Sequence, residues 1–233
     1  MRLQVTVPPS VEPITLTEVY AHLRLDASGS PPTNPDDALL SSQIQAAREY
    51  AEQCTKRAVI QQTLAYRLPY FPTDRLFFQP RRFYDETINS NIQPYYIELP
   101  KSSPLISLDS IQFYDENNAL QTLDTAKYQV STDAEPARID LVWGETWPIT
   151  YERTDAVIIT YKAGYMPKPL GTSPQTYDYR ASVPESIKNA IKLRVQQLYD
   201  PMTPQKYDQL QSAIDSMLYP FKVYTFEWGY PKP

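Results

Sequence analysis

Glycine, cysteine and histidine are the scarce residues of this sequence. Its 233 residues hold five glycines (Gly29, Gly144, Gly164, Gly171 and Gly229), one cysteine, Cys54, and one histidine, His22. Loops that cradle phosphates need clustered glycines, and these are far apart. A lone cysteine excludes an internal disulfide framework and any multi-cysteine metal site. With one histidine there is no His–His metal pair and no His-x-Glu deaminase site. Long apolar runs are missing too. No stretch of about 18 apolar residues is present, so no membrane span is expected. The opening Met1 to Pro9 lacks the apolar core of a signal peptide, which points to a protein made and used in a cytoplasm. Positive charge is also in deficit. A net charge of −5 argues against a sequence-reading DNA protein, because duplex affinity comes largely from Lys and Arg neutralising phosphates.

What is abundant is proline, at 23, and tyrosine, at 19. Proline implies rigid, extended connections. Tyrosine supplies amphipathic contact area of the kind enriched at protein interfaces.

Two helices are predicted near the start. Thr15-Leu16-Thr17-Glu18 offers caps ahead of a stripe of Leu16, Val19, Tyr20 and Leu23, giving a first helix of about three turns. After a loop from Asp26 to Pro35, Leu40, Ile44, Ala47, Ala51 and Cys54 form one face of a longer helix, from Pro35 to Lys56. From Val59 the pattern changes to short β-branched and aromatic runs broken by proline. Strands are expected at Val59–Leu68, Tyr95–Leu99, Ser110–Tyr114, Ala119–Leu123, Tyr128–Ser131, Arg138–Val142 and Val157–Tyr161. Asp115 to Asn118 makes a hairpin turn, and Arg75 to Pro94 reads as a long excursion. A proline-rich loop from Met166 to Ser182 then leads into a helix whose buried face is Ile187, Ala190, Ile191, Val195 and Leu198. Leu210, Ala213, Ile214, Met217 and Leu218 mark a last helix, which Pro220 stops.

The expected fold class is therefore α+β, with terminal helices forming a small bundle and a central β-sheet-rich, sandwich-like insertion. The whole chain, 1–233, is taken as one domain. It has an N-terminal helical part (1–58), a β-rich insertion (59–165), a C-terminal helical part (183–219) and an extended aromatic tail (220–233).

Candidate chemistry is sparse. His22 falls off the stripe of its helix, and Cys54 lies on an apolar face as a small buried hydrophobe. Asp36 and Asp37 sit where a helix begins, which the helix dipole explains. Asp115-Glu116-Asn117-Asn118 resembles part of a calcium loop but lacks its central glycine and later glutamate. Trp143 and Trp147 could be drawn as a sugar-binding pair beside Glu145, although closely spaced tryptophans more often anchor a loop onto a core. Arg81-Arg82 and Lys56-Arg57 are short clusters on solvated faces. No catalytic residue, cofactor or metal site is assigned.

The residues themselves carry a resemblance. Pro13-Ile14-Thr15-Leu16-Thr17-Glu18, leading into Ala21-His22-Leu23-Arg24-Leu25-Asp26, resembles the "PITLxEAxxHLR(I/L)D" opening of the tailed-bacteriophage head-tail connector (head completion, or adaptor) family. Ala46 to Glu52 and Thr55 to Thr63 are similar to its "AAREYxExxTGRALxxQT" passage, with Lys56 in place of the usual glycine. Further matches are Ile97 to Pro100, Asp109 to Asp115, Ala137 to Ile139, Trp147-Pro148 and Val157 to Tyr165. Val183 to Ile191 is similar to the family's "VPExIKxAIxxLxxxxY" helix. The departures are Asp26 to Pro35, Arg75 to Pro94, Met166 to Ser182 and everything beyond Pro220.

The resemblance implies a structural, non-enzymatic virion protein, assembled in the host cytoplasm and placed in the neck. It would form a homo-oligomeric ring, a dodecamer, attached to the portal protein and presenting a platform to a neck or tail-completion protein. DNA would pass through the lumen without sequence-specific binding. Another neck role, stopper or tail completion, is the nearest alternative, and a virion carbohydrate-binding module is a more distant one. In the tail, Tyr219, Phe221, Tyr224, Phe226, Trp228 and Tyr230 are more aromatics than so short a stretch can bury by itself. They are expected to dock on the portal or on a neighbouring subunit.

Overall fold

The computed structural model describes residues 2–72, 96–171 and 176–224. Among them, four α-helices and ten strands make an α+β chain, the expected class. The chain divides into two units, residues 8–62 with 163–233 and residues 1–7 with 63–162.

The first unit is helical: α1 (Leu16–Leu23), α2 (Asp37–Thr55), α3 (Glu185–Tyr199) and α4 (Pro204–Leu218). A full capping box starts α1. The Thr15 hydroxyl accepts the Glu18 N–H, and the Glu18 carboxylate accepts the Thr15 N–H at 2.7 Å. The helix has only eight residues, about two turns where three were expected. Arg24 turns left-handed (φ 57°) and stops it, although the apolar stripe runs on to Leu25. The α2 stripe is the buried face: Leu40, Ile44, Ala47 and Ala51 are all within the core. On α3, Ile187, Ala190, Ile191 and Val195 are buried, but Leu198 is 43% exposed. The core position beyond Val195 is taken by Tyr199 instead. Ile214 and Leu218 of α4 complete a single apolar cluster to which all four helices contribute.

That cluster also contains Val59 and Ile60, which were expected to begin a strand. The Glu52 carboxylate accepts the Val59 N–H at 3.0 Å, so this backbone donor serves a side chain and not a ladder, and the strand begins at Gln62. Glu52 is 2% exposed and also accepts from Gln62 Nε2 (3.1 Å) and Arg48 (3.3 Å). Arg48 in turn meets Glu12 at 2.8 Å. Burial works against the Arg48 charge, yet the hydrogen bond to Glu12 and the carboxylates of Glu52, Glu12 and Glu49 outweigh it and raise its pKa. A two-strand ribbon, β9 (Lys168–Pro169) with β10 (Tyr177–Asp178), lies in the segment read as a loop.

The second unit is built on a five-stranded sheet. Its strands are β1 (Arg2–Val7), β2 (Gln62–Leu68), β4 (Leu105–Tyr114), β5 (Leu120–Thr122) and β8 (Val157–Ala163), in the order β1-β2-β8-β4-β5. β1 pairs antiparallel with β2 from Arg2 opposite Arg67 to Val7 opposite Thr63, with a register shift between Val5 and Val7. The central strand β8 alternates strictly, with Val157, Ile159, Tyr161 and Ala163 buried. β4 and β5 are joined by the expected hairpin. Asn118 takes φ 60°, and the Asp115 carboxylate gathers the N–H groups of Asn117 and Ala119 at 3.0 and 2.9 Å. A three-stranded sheet, β3 (Ile97–Glu98), β7 (Arg138–Leu141) and β6 (Tyr128–Ser131), adds Ile97 and Ile139 to the buried set. The excursion expected from Arg75 to Pro94 lies outside the described residues.

Candidate protein interface

Two of the polar residues singled out in the sequence, Asp36 and Asp37, hold elements together. Asp37, at the start of α2, accepts the Tyr20 hydroxyl from α1 and the Asn34 N–H. Asp36 accepts the Tyr199 hydroxyl from α3 at 2.7 Å. The two acids therefore tie three helices together, a role that dipole reasoning missed. The only available signal was a tyrosine at each of the facing helical positions. His22 is half-buried on α1, and its Nε2 is buried without a hydrogen-bond partner among the described residues. Cys54 is partly buried. Among the described residues, no three His, Cys, Asp or Glu side chains converge as metal ligands would, and no helix is long and apolar enough to cross a membrane.

Trp143 and Trp147 have opposite fates. Trp147 is 8% exposed and stacks on Phe71 with ring centroids 4.8 Å apart, while Phe71 meets Phe113 edge-on at 5.7 Å. Trp143 is fully exposed. Trp143 and Trp147 therefore form no open pair for a sugar. A groove in the helical unit, about 450 Å³, runs past Thr15, Glu18, Tyr177, Arg180 and Lys188. Its charged groups are bound within the unit: Lys188 to Glu185 at 2.8 Å, Arg180 to the Glu12 carbonyl at 2.7 Å, and Glu18 to Lys192 at 3.4 Å.

The root of the aromatic tail is fixed. α4 passes into a short 3-10 turn, Tyr219–Phe221. Phe221 packs on the helical core, its carbonyl accepts from Arg57 Nε, and the Val223 N–H donates to the Thr55 carbonyl at 2.9 Å. Val223 is 4% exposed. Tyr219 and Tyr224, in contrast, are 68% and 58% exposed. A hydrogen bond between their hydroxyls raises the Tyr224 pKa, and Lys222 Nζ lies 5.7 Å from the Tyr224 ring centroid. Of the six expected interface residues, one is thus an anchor and two face solvent. Phe226, Trp228 and Tyr230 lie outside the described residues.

No protein-family model and no curated protein matches this sequence. Solved structures do. A chain from the neck of an empty GTA particle, computed with C6 symmetry, matches with a TM-score of 0.69 and 18% identity, over 99% of this chain and 100% of that one. A chain from the virion of a native gene transfer agent (GTA) particle gives 0.67 and 16%, over 98% and 99%. Another, from the neck of a native GTA particle computed with C12 symmetry, gives 0.64 and 18%, over 99% and 100%. The chain has the fold of these particle proteins. Both units are included, since each match runs over nearly the whole of both chains.

Proposed function

We propose that this chain is a structural subunit of a virion neck, a head-tail connector (adaptor) that forms a ring on the portal and links the DNA-filled head to the next neck or tail component. The observation that carries the reading is the end-to-end likeness to chains of GTA neck and virion structures. A domain borrowed for another purpose would be expected to match over part of its length. Those necks were computed with C6 and C12 symmetry, in keeping with a ring of identical subunits, here read as a dodecamer.

Other features agree with a passive conduit. The net charge is −5, and a channel that lets DNA slide should not neutralise its phosphates. DNA is therefore read as passing through the lumen without sequence-specific contact. The charged side chains described above bind one another and the backbone, which suits a building block with no catalytic task.

For attachment, the tail is read as the docking element for the portal or a neighbouring subunit. Tyr219 and Tyr224 would be the first anchors, and Phe226, Trp228 and Tyr230 would continue along the same segment. Two variants test this: Tyr219→Ser combined with Tyr224→Ser, and removal of residues 225–233. Each is expected to leave a folded subunit that no longer joins filled heads. Normal incorporation of both would refute the tail's role. Imaging of particles that encode this chain tests the function itself, and a neck without it would refute the connector reading. Contact with neck neighbours other than the portal would favour a stopper or tail-completion role.

A further inference from the structure

Among the described residues, the β unit carries two unpartnered apolar features, at opposite edges of one sheet. At one edge, all six residues of β1 are exposed. Leu3 and Val5 share a face and Val7 follows across the register shift, at 36%, 43% and 56% exposure. Edge strands are commonly protected by lysine, proline or a covering element. β1 has neither residue, and β2 is its only neighbour among the described strands.

The other edge is β5, three residues all exposed, with Leu120 at 49%. Chain leaving β5 passes through a 3-10 turn, Thr125–Lys127, to which the Trp143 turn is fastened. The Val142 N–H donates to the Lys127 carbonyl at 3.0 Å, and Lys127 Nζ meets Glu145 at 3.5 Å. Within the turn, the Glu145 N–H closes onto the Val142 carbonyl at 3.0 Å, and Gly144 takes φ 89°. This is the arrangement of a type II turn, with glycine at the third position and Trp143 at the second. The indole is therefore held out by a closed, pinned turn. It exposes roughly 200 Å² of largely apolar surface, whereas Trp147, four residues on, is buried.

We infer that these two edges meet between copies of this chain: β1 of one subunit lies along β5 of the next, and the Trp143 indole covers Leu3 and Val5. The inference rests on the ring reading above, which makes a second copy the occupant. A closed ring needs a head-to-tail contact joining two different faces of identical chains. Opposite edges of a single sheet supply such faces, and an edge strand with no further neighbour among the described strands allows strand addition on each.

The test uses the full chain with Cys54→Ser. Val5→Cys is paired with Leu120→Cys in one variant and with Trp143→Cys in another, and both are oxidised mildly under assembling conditions. A ladder of covalent oligomers is expected from each pair and from neither single cysteine. Trp143→Ser should leave the subunit's melting temperature unchanged and weaken self-association at least tenfold. If rings form and either result fails, the contact is wrong while the ring reading stands. Wild-type chain found in no ring, alone or in particles, ends both.

Discussion

A Cβ on Gly164 would stand 2.5 Å from the carbonyl carbon of Ile60 and 2.6 Å from the Gln61 nitrogen. Two backbones touch there, and nothing flexible can move aside. Gly164 also takes φ 130°, a conformation that side chains disfavour. Gly164→Ala should therefore cost roughly 2 kcal/mol or more, seen as a clear drop in thermal midpoint. An unchanged midpoint would mean that the two segments can part without loss.

Glu52 is a buried acid with hydrogen-bond donors around it, among them Val59, Gln62 and Arg48. Removing it takes a buried carboxylate from the Arg48 charge, which is 5% exposed, and leaves the Val59 N–H unserved. Glu52→Ala should destabilise by about 3 kcal/mol in denaturant unfolding. A loss of under about 1 kcal/mol would place this pair with ordinary surface ion pairs.

The two tryptophans provide an internal control. Trp147→Ala removes the ring stacked on Phe71 and should cost about 3 kcal/mol. Trp143→Ser, at a fully exposed position, should change stability by no more than about 0.5 kcal/mol. Equal losses would contradict the packing described for this segment.

Tyrosine ionisation should be split. Tyr20 is pushed up to about 12, first by the hydrogen bond its hydroxyl donates to Asp37 and then by burial. Tyr50 is pushed up to about 12 by burial and then by the neighbouring Cys54 side chain. Both values are raised above the ordinary 10.0. Their contribution to stability is thus complete below pH 10 and disappears as pH climbs through about 12. An ultraviolet titration should show late-ionising tyrosines, one fewer in Tyr20→Phe. An identical curve for that variant would remove the assignment.

Acid has the opposite sign. Burial raises the Glu18 carboxyl, but the Thr15 N–H and hydroxyl, and then Lys192, outweigh it and hold it below its ordinary 4.5. Stability from this group is present above 4.5 and is lost as pH falls through the lowered value. Glu18→Gln should flatten that part of the acid unfolding curve, and an unaltered slope would count against it.

Local signals were legible in the sequence, and distant ones were not. Thr15 and Glu18 announce the start of α1, because a capping box is contained within four residues. Its end was not announced, since Arg24 is neither of the residues that normally mark a left-handed stop. Four-three spacing identified the buried face of α2 and, except for Leu198, that of α3. β4 begins at Leu105, five residues before the expected Ser110, because Leu105 to Leu108 are all partly buried and do not alternate. The bonds of Asp36 and Asp37 escaped notice for another reason. Tyr199 is 163 positions away from Asp36, and such a pairing leaves no trace in a local window. Likewise, Trp147 differs from Trp143 in packing on Phe71, which is far away in the sequence. The six expected interface residues were chosen from composition, and of the three that are described Phe221 packs inward while Tyr219 and Tyr224 turn out.

The route of the chain bears on how it is made. β1 finds its partner only in residues 63–67, after α1 and α2 have intervened. During synthesis, the first strand must therefore wait through the whole of the first helical stretch before it has anything to pair with. Such distant pairing slows folding. Neither unit can be expressed as one uninterrupted fragment, because the boundary is crossed after residues 7, 62 and 162. Production by halves would need a rewired connection.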